Sequence, residues 1–247
     1  MRNTASSPAV TADRDDMLTG AELQIILLSL KVAATAMAAA LPLAFFVAWA
    51  LARWRFRGRS LLQAITTLPL VLPPVVTGYV LLVSFGANGP LGWLSREVLG
   101  LEFAFRWTGA ALAAAVMAFP LLVRPIRLSL EAIDPGLEEA AKTLGAGRLR
   151  VLATVVLPLS LPGILAGVIL GFAKALGEFG ATITFVSNIP GQTQTLSLAI
   201  YSFLQSPTGD MAALRLIGIS VLLAIGAIVA SEWVSSRLAA GGASSRD

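Results

Sequence analysis

The sequence predicts an all-α membrane protein, a polytopic bundle of five spans plus a re-entrant or short segment at the outer surface. Of its 247 residues, 56% are hydrophobic and only 13% are charged, with a mean hydropathy of +0.80. A soluble domain with one core is rarely so apolar. Five apolar runs also reach the roughly 20 residues that a helix needs to cross a bilayer. These runs lie at 23–51, 61–86, 107–130, 151–173 and 211–234.

The same composition excludes several classes of function. The chain has no Cys and no His, so it offers no disulfide, no thiolate metal site and no imidazole base. It also lacks a G-x-x-x-x-G-K-[ST] phosphate loop, so nucleotide energy would have to come from another polypeptide. No catalytic residue, metal or cofactor is predicted, and the scattering of the arginines among short loops argues against nucleic-acid binding.

The polar ends of the chain and its short loops set the predicted orientation. Residues 1–20 are predicted to form a disordered outer tail, and the first apolar run then acts as an uncleaved signal anchor. The positive-inside rule places the four arginines of "RWRFRGR" (53–59) in the cytoplasm. Alternation then puts the N-terminus outside, and the loop 131–150 and a C-terminal tail at 236–247 inside. The transmembrane domain covers 21–235, and this orientation gives most of the 18 Lys and Arg residues to the cytoplasm.

The second apolar run contains three prolines, Pro69, Pro73 and Pro74, within "LPLVLPPVV". Each proline removes a backbone donor and forces a bend, so the freed carbonyl groups must find partners in neighbouring helices or in water. Two interpretations stay open at this point. The prolines produce either a structural kink or a break that lines a pore.

The region 174–210 contains an apolar piece, "FGATITFVSNI", that is too short for an ordinary span, followed by the polar "PGQTQT" and then "LSLAIYSFL". It is predicted to dip into the membrane from outside and return, because irregular backbone at membrane depth must be buried in protein or line a wet cavity. A sixth crossing is the alternative, and it would place the C-terminus outside. Lys174 and Glu178, spaced i,i+4, are opposed charges near membrane depth. They are candidates for a pore or gate pair, or for a structural pair at the outer end of the fourth span.

The loop before the fourth run has the features of a short exposed helix. Asp134 is a suitable N-cap and Pro135 a suitable first residue, while Gly145 is predicted to end the helix in a left-handed conformation. Glu138 and Lys142 are spaced for an i,i+4 ion pair. One face of the helix is apolar, with Leu137, Ala140, Ala141 and Leu144. This pattern fits a docking surface for another protein or an amphipathic helix that rests on the membrane.

The loop resembles the signature loop of bacterial ABC importer permeases. That signature is Glu-Ala-Ala, three residues, Gly, nine residues, an aliphatic residue, one residue and Leu-Pro. The matching residues are Glu139, Ala140, Ala141, Gly145, Val155, Leu157 and Pro158. In that family the loop forms the coupling helices that sit in a cleft of the ATPase subunit. The resemblance implies an ATPase-docking role for these residues, and a type I importer permease fold over nearly all of residues 20–235.

Other stretches are similar to the molybdate permease subfamily, above all "GEFGATITFVSNIPGQTQT" at 177–195. The others are "LPLVLPPVVTGYVLL", "FPLLVRPIRLSLE", "TLGAG" and "LPLSLPGILAG". This resemblance implies a homodimer in the bacterial inner membrane, with two ATP-binding subunits inside and an extracytoplasmic molybdate-binding protein outside. Sulfate/thiosulfate permeases are the nearest alternative. Tungstate is too close to molybdate in size and charge for this sequence to separate them.

For an oxyanion, Thr182 and Thr184 are candidate path residues. Hydroxyl groups donate to an anion without holding it as tightly as a ring of arginines, and a pathway must release what it binds. Gly177 and Gly180 beside them fit helix packing at least as well. An ion-driven secondary transporter is a remote alternative, since neither an inverted repeat nor an acidic midplane site is visible. An intramembrane enzyme is another, although the usual nucleophile–base pairs are missing.

Overall fold

The computed structural model describes residues 18–243 except residue 208, and this part of the chain is helical with short connections. A π-helical turn at Leu152–Val156 joins two of the helices. The helices are α1 (Gly20–Arg53), α2 (Arg59–Val71), α3 (Pro74–Phe85), α4 (Pro90–Leu99), α5 (Trp107–Glu131), α6 (Pro135–Thr143), α7 (Arg148–Val151), α8 (Leu157–Leu176), α9 (Gly180–Val186), α10 (Leu196–Leu204) and α11 (Asp210–Ala243).

Four helices of the described part are long and apolar enough to cross a membrane. They are α1, α5, the continuous stretch Arg148–Leu176 and the segment Asp210–Ala230 of α11. A fifth crossing is present if α2 and α3, which are bent by 114° at a short break, count as one span. Each of these spans corresponds to one predicted apolar run. The predicted all-α polytopic class is therefore confirmed.

The break between α2 and α3 follows from the prolines of the second apolar run. Leu72 and Pro73 are extended, with ψ of 143° and 133°, as expected for residues that precede a proline. Neither Pro73 nor Pro74 has an N–H to donate, so α2 ends at Val71 and α3 begins anew at Pro74. The predicted bend is present, and it is a full break rather than a kink.

The core of the bundle consists of α1, α5 and α8, which approach one another closely through small residues. On α8, Gly163, Gly167 and Gly171 recur every four residues and face α5. A Cβ at Gly163 would lie 2.5 Å from the Pro125 carbonyl oxygen, and one at Gly171 would lie 2.8 Å from the Met37 sulfur. Lipid gives helices no hydrophobic reason to associate, so this close packing supplies the attraction. Buried alanines belong to the same core, including Ala36, Ala40 and Ala44 on α1 and Ala110, Ala114 and Ala118 on α5.

The N-terminal ends of α1 and α11 are joined by a buried ion pair. Glu22 is 2% exposed, and its Oε1 lies 2.9 Å from Nη2 of Arg215. Its Oε2 accepts a hydrogen bond of 2.7 Å from the Thr19 N–H, which completes a capping box at the start of α1. The Ser29 hydroxyl oxygen accepts from the Leu196 N–H at 2.7 Å. These contacts fix α10 and α11 against α1.

The loop after α3 contains a helix that the sequence analysis did not anticipate. Helix α4 has Gly89 before it and Pro90 at its first position, and Gly100 with φ of +62° ends it. These glycines and this proline are local signals that could have predicted the helix. Trp93 and Val98 on α4 are exposed.

Most of the two predicted tails lies outside the described residues. Of the predicted tail 1–20, residues 1–17 are outside, and α1 begins directly after Thr19. Of the predicted tail 236–247, residues 236–243 belong to α11. The described part of that tail is therefore helical.

Candidate functional site

Helix α6 has the start and the end that its sequence predicts. Asp134 Oδ1 accepts from the Gly136 N–H at 2.8 Å, and Pro135 occupies the first helical position. At the other end Gly145 has φ of +83°, and its N–H donates to the Lys142 carbonyl at 3.0 Å. The next N–H, of Ala146, donates to the Ala141 carbonyl at 3.0 Å, which completes a Schellman turn. The predicted left-handed conformation of Gly145 is confirmed.

The surface of α6 is open to contact. No residue of α6 itself is buried among the described residues. Leu137 is 50% exposed and Leu144, directly after the helix, is 89% exposed. Ala140 is exposed as well, whereas Ala141 is half-buried against the core. The predicted apolar face is thus only partly covered by this chain, which leaves a contiguous apolar and small-residue surface for another partner.

One ion pair attaches α6 to the bundle, and it differs from the predicted one. Glu138 Oε1 lies 2.6 Å from Nη2 of Arg53 at the end of α1, so Glu138 does not need Lys142. Both side chains are mostly buried, at 16% and 21% exposure, so water and salt screen this pair less than a solvent-exposed i,i+4 pair. The neighbouring Glu139 is exposed, and within residues 18–243 it makes no ion pair or side-chain hydrogen bond.

The last signature residues lie where the chain re-enters the bundle. Helix α6 contacts α7 and the π-helical turn that follows it. Pro158 cannot donate to the carbonyl of Thr154, and a proline inside a continuous helix leaves its ladder incomplete at that point. The turn before it relaxes to π-helical geometry. Val155 packs half-buried against the core, whereas Leu157 and Pro158 are exposed at the start of α8.

The second predicted group, around Lys174 and Glu178, forms a saturated corner between α8 and α9. Lys174 Nζ lies 2.5 Å from Glu178 Oε2, and Glu178 is 2% exposed. The other oxygen, Oε1, accepts from the Ala181 N–H at 3.0 Å, and the Glu178 carbonyl accepts from the Ser197 hydroxyl at 2.6 Å. A carboxylate can only accept hydrogen bonds, so it cannot hold an anion. The geometry favours the structural role of the two that the sequence left open.

The two candidate threonines of α9 differ in their surroundings. Thr182 is 2% exposed, whereas Thr184 is half-buried and its hydroxyl donates to the Gly180 carbonyl at 2.9 Å. Helix α9 packs closely on α3, since a Cβ at Gly78 would lie 2.5 Å from the Ala181 carbonyl oxygen. In this conformation Thr182 belongs to the packed interior of the chain.

The two glycines beside these threonines also differ. A Cβ at Gly180 would lie 2.7 Å from the Pro74 side chain, so Gly180 is required for close packing against α3. A Cβ at Gly177 would meet no atom nearer than 3.8 Å. The close contact supports the packing explanation for Gly180, whereas no close contact among the described residues supports it for Gly177.

A polar cleft between α2 and α5 was not predicted from the sequence. Its volume is about 350 Å³, and its lining includes Gln63, Thr67, Arg124 and Arg127. Arg124 and Arg127 are among the basic residues that the predicted orientation places on the cytoplasmic side. The spacing of polar residues on α2 could have shown the cleft, because positions 63, 66 and 67 fall on one helical face.

Fold and loop together define a polytopic transport subunit, with a rigid helical core in the membrane and an exposed helix fixed to one end of it. Family comparison agrees with this class. The chain belongs to the family of binding-protein-dependent transport system inner membrane components, whose model matches residues 40–239. It is a multi-pass inner-membrane protein of the ABC importer permease class, and a transport subunit rather than an enzyme.

Similar curated proteins include two permeases named for molybdenum. The chain is 57% identical over 217 residues to "Molybdenum transport system permease protein ModB" of Haemophilus influenzae, covering 88% of this chain and 95% of the relative. It is 55% identical over 219 residues to the Escherichia coli K12 protein of that name, covering 89% and 96%. A "Sulfate transport system permease protein CysT" of Escherichia coli K12 is 41% identical over 181 residues, covering 72% and 65%.

Solved structures with the same fold belong to other importers. One is a bacterial ABC transporter involved in the import of the acidic polysaccharide alginate, with a TM-score of 0.68 at 18% identity, covering 89% of this chain and 80% of the other. Another is the MetNI methionine ABC transporter in an inward-facing conformation, with a TM-score of 0.62 at 15% identity, covering 87% and 93%. At these identities the likeness shows the fold alone, and it confirms the predicted importer architecture.

Proposed function

We propose that the chain is the permease subunit of an ATP-driven importer that carries molybdate across the inner membrane. The observation that supports this most is the identity of 57% and 55% to two molybdenum permeases, over nearly their full length. The sulfate permease is more distant, and this chain covers only 65% of it. The sulfate alternative is therefore weaker, and tungstate, which has the same shape and charge as molybdate, is a second expected substrate.

The proposed assembly contains two copies of this chain, two ATP-binding subunits and an extracytoplasmic molybdate-binding protein. Each chain supplies one exposed α6, and a motor with two ATP sites has two places for it. In this proposal Glu139, Ala140, Ala141 and Gly145 dock into the ATPase, while Leu157 and Pro158 carry the movement into α8. The Arg53–Glu138 pair offers a second connection, from α6 to the end of α1. ATP closes the motor, both α6 helices move together, and the spans open outward to accept the anion.

The proposed orientation has the N-terminus outside and the C-terminus inside. The Arg53–Glu138 pair supports it, because the arginine-rich loop 53–59 and the α6 loop share one end of the bundle. A reporter that is active only outside the cell should be silent when fused after Asp247. An active fusion would show that the number of crossings is wrong.

The test of the substrate uses the complete transporter in proteoliposomes, with binding protein outside and ATP inside. We expect uptake of labelled molybdate that depends on ATP and that excess tungstate inhibits, with sulfate a poor competitor. Uptake of sulfate at least as fast as that of molybdate would favour the sulfate alternative. A mixture without binding protein is the control, because the family is named for its dependence on one.

We also propose that residues 178–190 approach the dimer axis and line the outer half of the path. The chain has no cysteine, so single cysteines at Thr182 and Thr184 report without background. We expect Thr184→Cys to react with a small water-soluble thiol reagent, because position 184 is only half-buried. Thr182→Cys, which is buried in this conformation, should react only when nucleotide changes the state of the transporter. Cysteines that stay unreactive in every state would identify a packed structural segment instead.

A further inference from the structure

The cleft between α2 and α5 carries an unpaired positive charge inside a membrane span. Arg124 lies seven residues before the end of α5, which places its backbone about 10 Å from that end at a rise of 1.5 Å per residue. It is exposed to the cleft, and among the described residues no group forms an ion pair or hydrogen bond with its side chain. Ionisable side chains at such depth are expensive, and those that are kept generally face a cavity and serve a function.

The other charges of the cleft are already paired. Arg127 Nε lies 2.8 Å from Glu131 Oε1, and Arg127 Nη1 donates to Gln63 Oε1 at 3.0 Å. Glu131 is also 3.7 Å from Nη2 of Arg59. One carboxylate therefore faces three arginines in and beside the cleft, and the surplus charge is positive. A cation would be repelled from this place, whereas an anion would find Arg124 unoccupied.

The polar wall of the cleft offers donors of the right kind. Arg127 holds the oxygen of the Gln63 amide, so the amide nitrogen is left to donate. The hydroxyl groups of Thr66 and Thr67 already donate to backbone carbonyls, those of Leu62 and Gln63. They make the wall of the cleft polar but do not donate to an anion. Apolar side chains complete the lining, which strengthens any charge interaction inside it. The volume of about 350 Å³ is ample for a tetrahedral oxyanion with water around it.

We propose that this cleft is an inner transit site, where Arg124 and the Gln63 amide hold a tetrahedral oxyanion briefly on its way through the bundle. The proposal deepens the proposed function and rests on it for the identity of the anion. One unpaired arginine attracts a dianion without enclosing it, so the anion can leave again. A phosphate group of a lipid has the same chemistry and is the competing occupant.

The charge of the site can be measured without any transport. Thr67→Cys places a thiol in the cleft of the cysteine-free chain, within the complete transporter. Two methanethiosulfonate reagents of similar size are compared, one with a sulfonate and one with a trimethylammonium group. We expect the ratio of their reaction rates to favour the sulfonate, and to fall at least about fivefold when Arg124→Gln is added, because a unit charge a few ångströms away has an effect of that order. Arg55→Gln, a change at an exposed loop arginine, is the matched control and should leave the ratio unaltered.

Occupancy by the transported anion is tested by protection. In proteoliposomes of zwitterionic lipid, millimolar molybdate should slow the sulfonate reagent at Thr67→Cys, and Arg124→Gln should abolish that protection. Protection by anionic lipid, with none by molybdate, would overturn the proposal in favour of a lipid-headgroup site. An unaltered reagent ratio in the Arg124→Gln variant would overturn it as well.

Transport gives the second readout. We expect Arg124→Gln to lower the initial rate of molybdate uptake about tenfold while the permease level and the bound ATPase stay normal, and Arg124→Lys to restore part of the rate. Full uptake in Arg124→Gln beside an active parent would overturn the transit site and leave the proposed function standing. If the unsubstituted transporter takes up no molybdate, the proposed function is refuted. The ratio of the two reagent rates still tests whether the cleft is positively charged.

Discussion

Replacing Glu139 by alanine should weaken the hold of the permease on its ATPase about tenfold or more, with little change in the stability of the permease. Glu139 is exposed and makes no ion pair or side-chain hydrogen bond within the described residues, so its removal should alter the free energy of unfolding by no more than about 0.5 kcal/mol. Loss of a contact at the centre of a compact interface typically costs about 2 kcal/mol of binding, which exceeds a tenfold weakening.

Gly145→Asp should have a larger effect in the same assay. The space around Gly145 is open, so the cost arises from its φ of +83°, which a side chain disfavours by about 1 kcal/mol. A changed turn would redirect α6, and the added carboxylate would alter the charge of the surface. Gly147→Asp is the matched control, because Gly147 is equally open but has an ordinary φ of −68°.

The measurement is co-purification of the ATPase, together with molybdate uptake and the level of permease in the membrane. The control should lose less ATPase than Gly145→Asp if the turn itself matters. Variants that reach the membrane normally, keep the ATPase and retain full uptake would show that α6 is not a coupling element. The assignment of the whole loop would then have to be abandoned.

Glu178→Ala should destabilise the permease by about 1–3 kcal/mol, because it removes a buried hydrogen-bond acceptor while the Lys174 side chain left behind is 31% exposed. The change leaves Lys174 without its carboxylate and the Ala181 N–H without its acceptor. Glu178→Gln keeps an acceptor for that N–H and should cost less. Thermal unfolding of the purified protein measures the effect, with Glu97→Ala on the exposed face of α4 as the control.

The double variant Lys174→Ala/Glu178→Ala separates a structural pair from a transport pair. It leaves no unpaired charge, so it should be less destabilised than the sum of the two single variants. Uptake that falls in Glu178→Ala while its thermal stability stays at the level of the control would contradict the structural role. That result would favour the pore or gate role for Lys174 and Glu178.

Local signals in the sequence were sufficient for α6 and for the class of the protein. The start and the end of α6 could be predicted because Asp134, Pro135 and Gly145 determine the backbone conformation only of residues close to them in the sequence. Apolar length alone predicted the spans, because lipid forces every backbone group into an internal hydrogen bond.

Features that depend on contacts between distant parts of the chain could not be predicted from the sequence. Glu138 has two suitable cations, and only the fold brings Arg53 closer to it than Lys142. Prolines predicted the break after α2, but its angle of 114° is set by how α3 packs on α9. Thr182 is buried whereas Thr184, which lies against Gly78 of α3, is half-buried, and the two residues look alike in sequence.

The glycines of α8 restrict how the bundle can move. Gly163 and Gly167 bring α8 close to the backbone of α5, where added Cβ atoms would lie 2.5 Å from the Pro125 carbonyl oxygen and 3.0 Å from that of Leu122. A slide of α8 by less than one helical turn, about 5.4 Å, would bring larger side chains against the Pro125 carbonyl. Helices α5 and α8 therefore have to travel as one rigid body. A force applied at α6 would then tilt α5 and α8 together and would not slide one of these helices along the other.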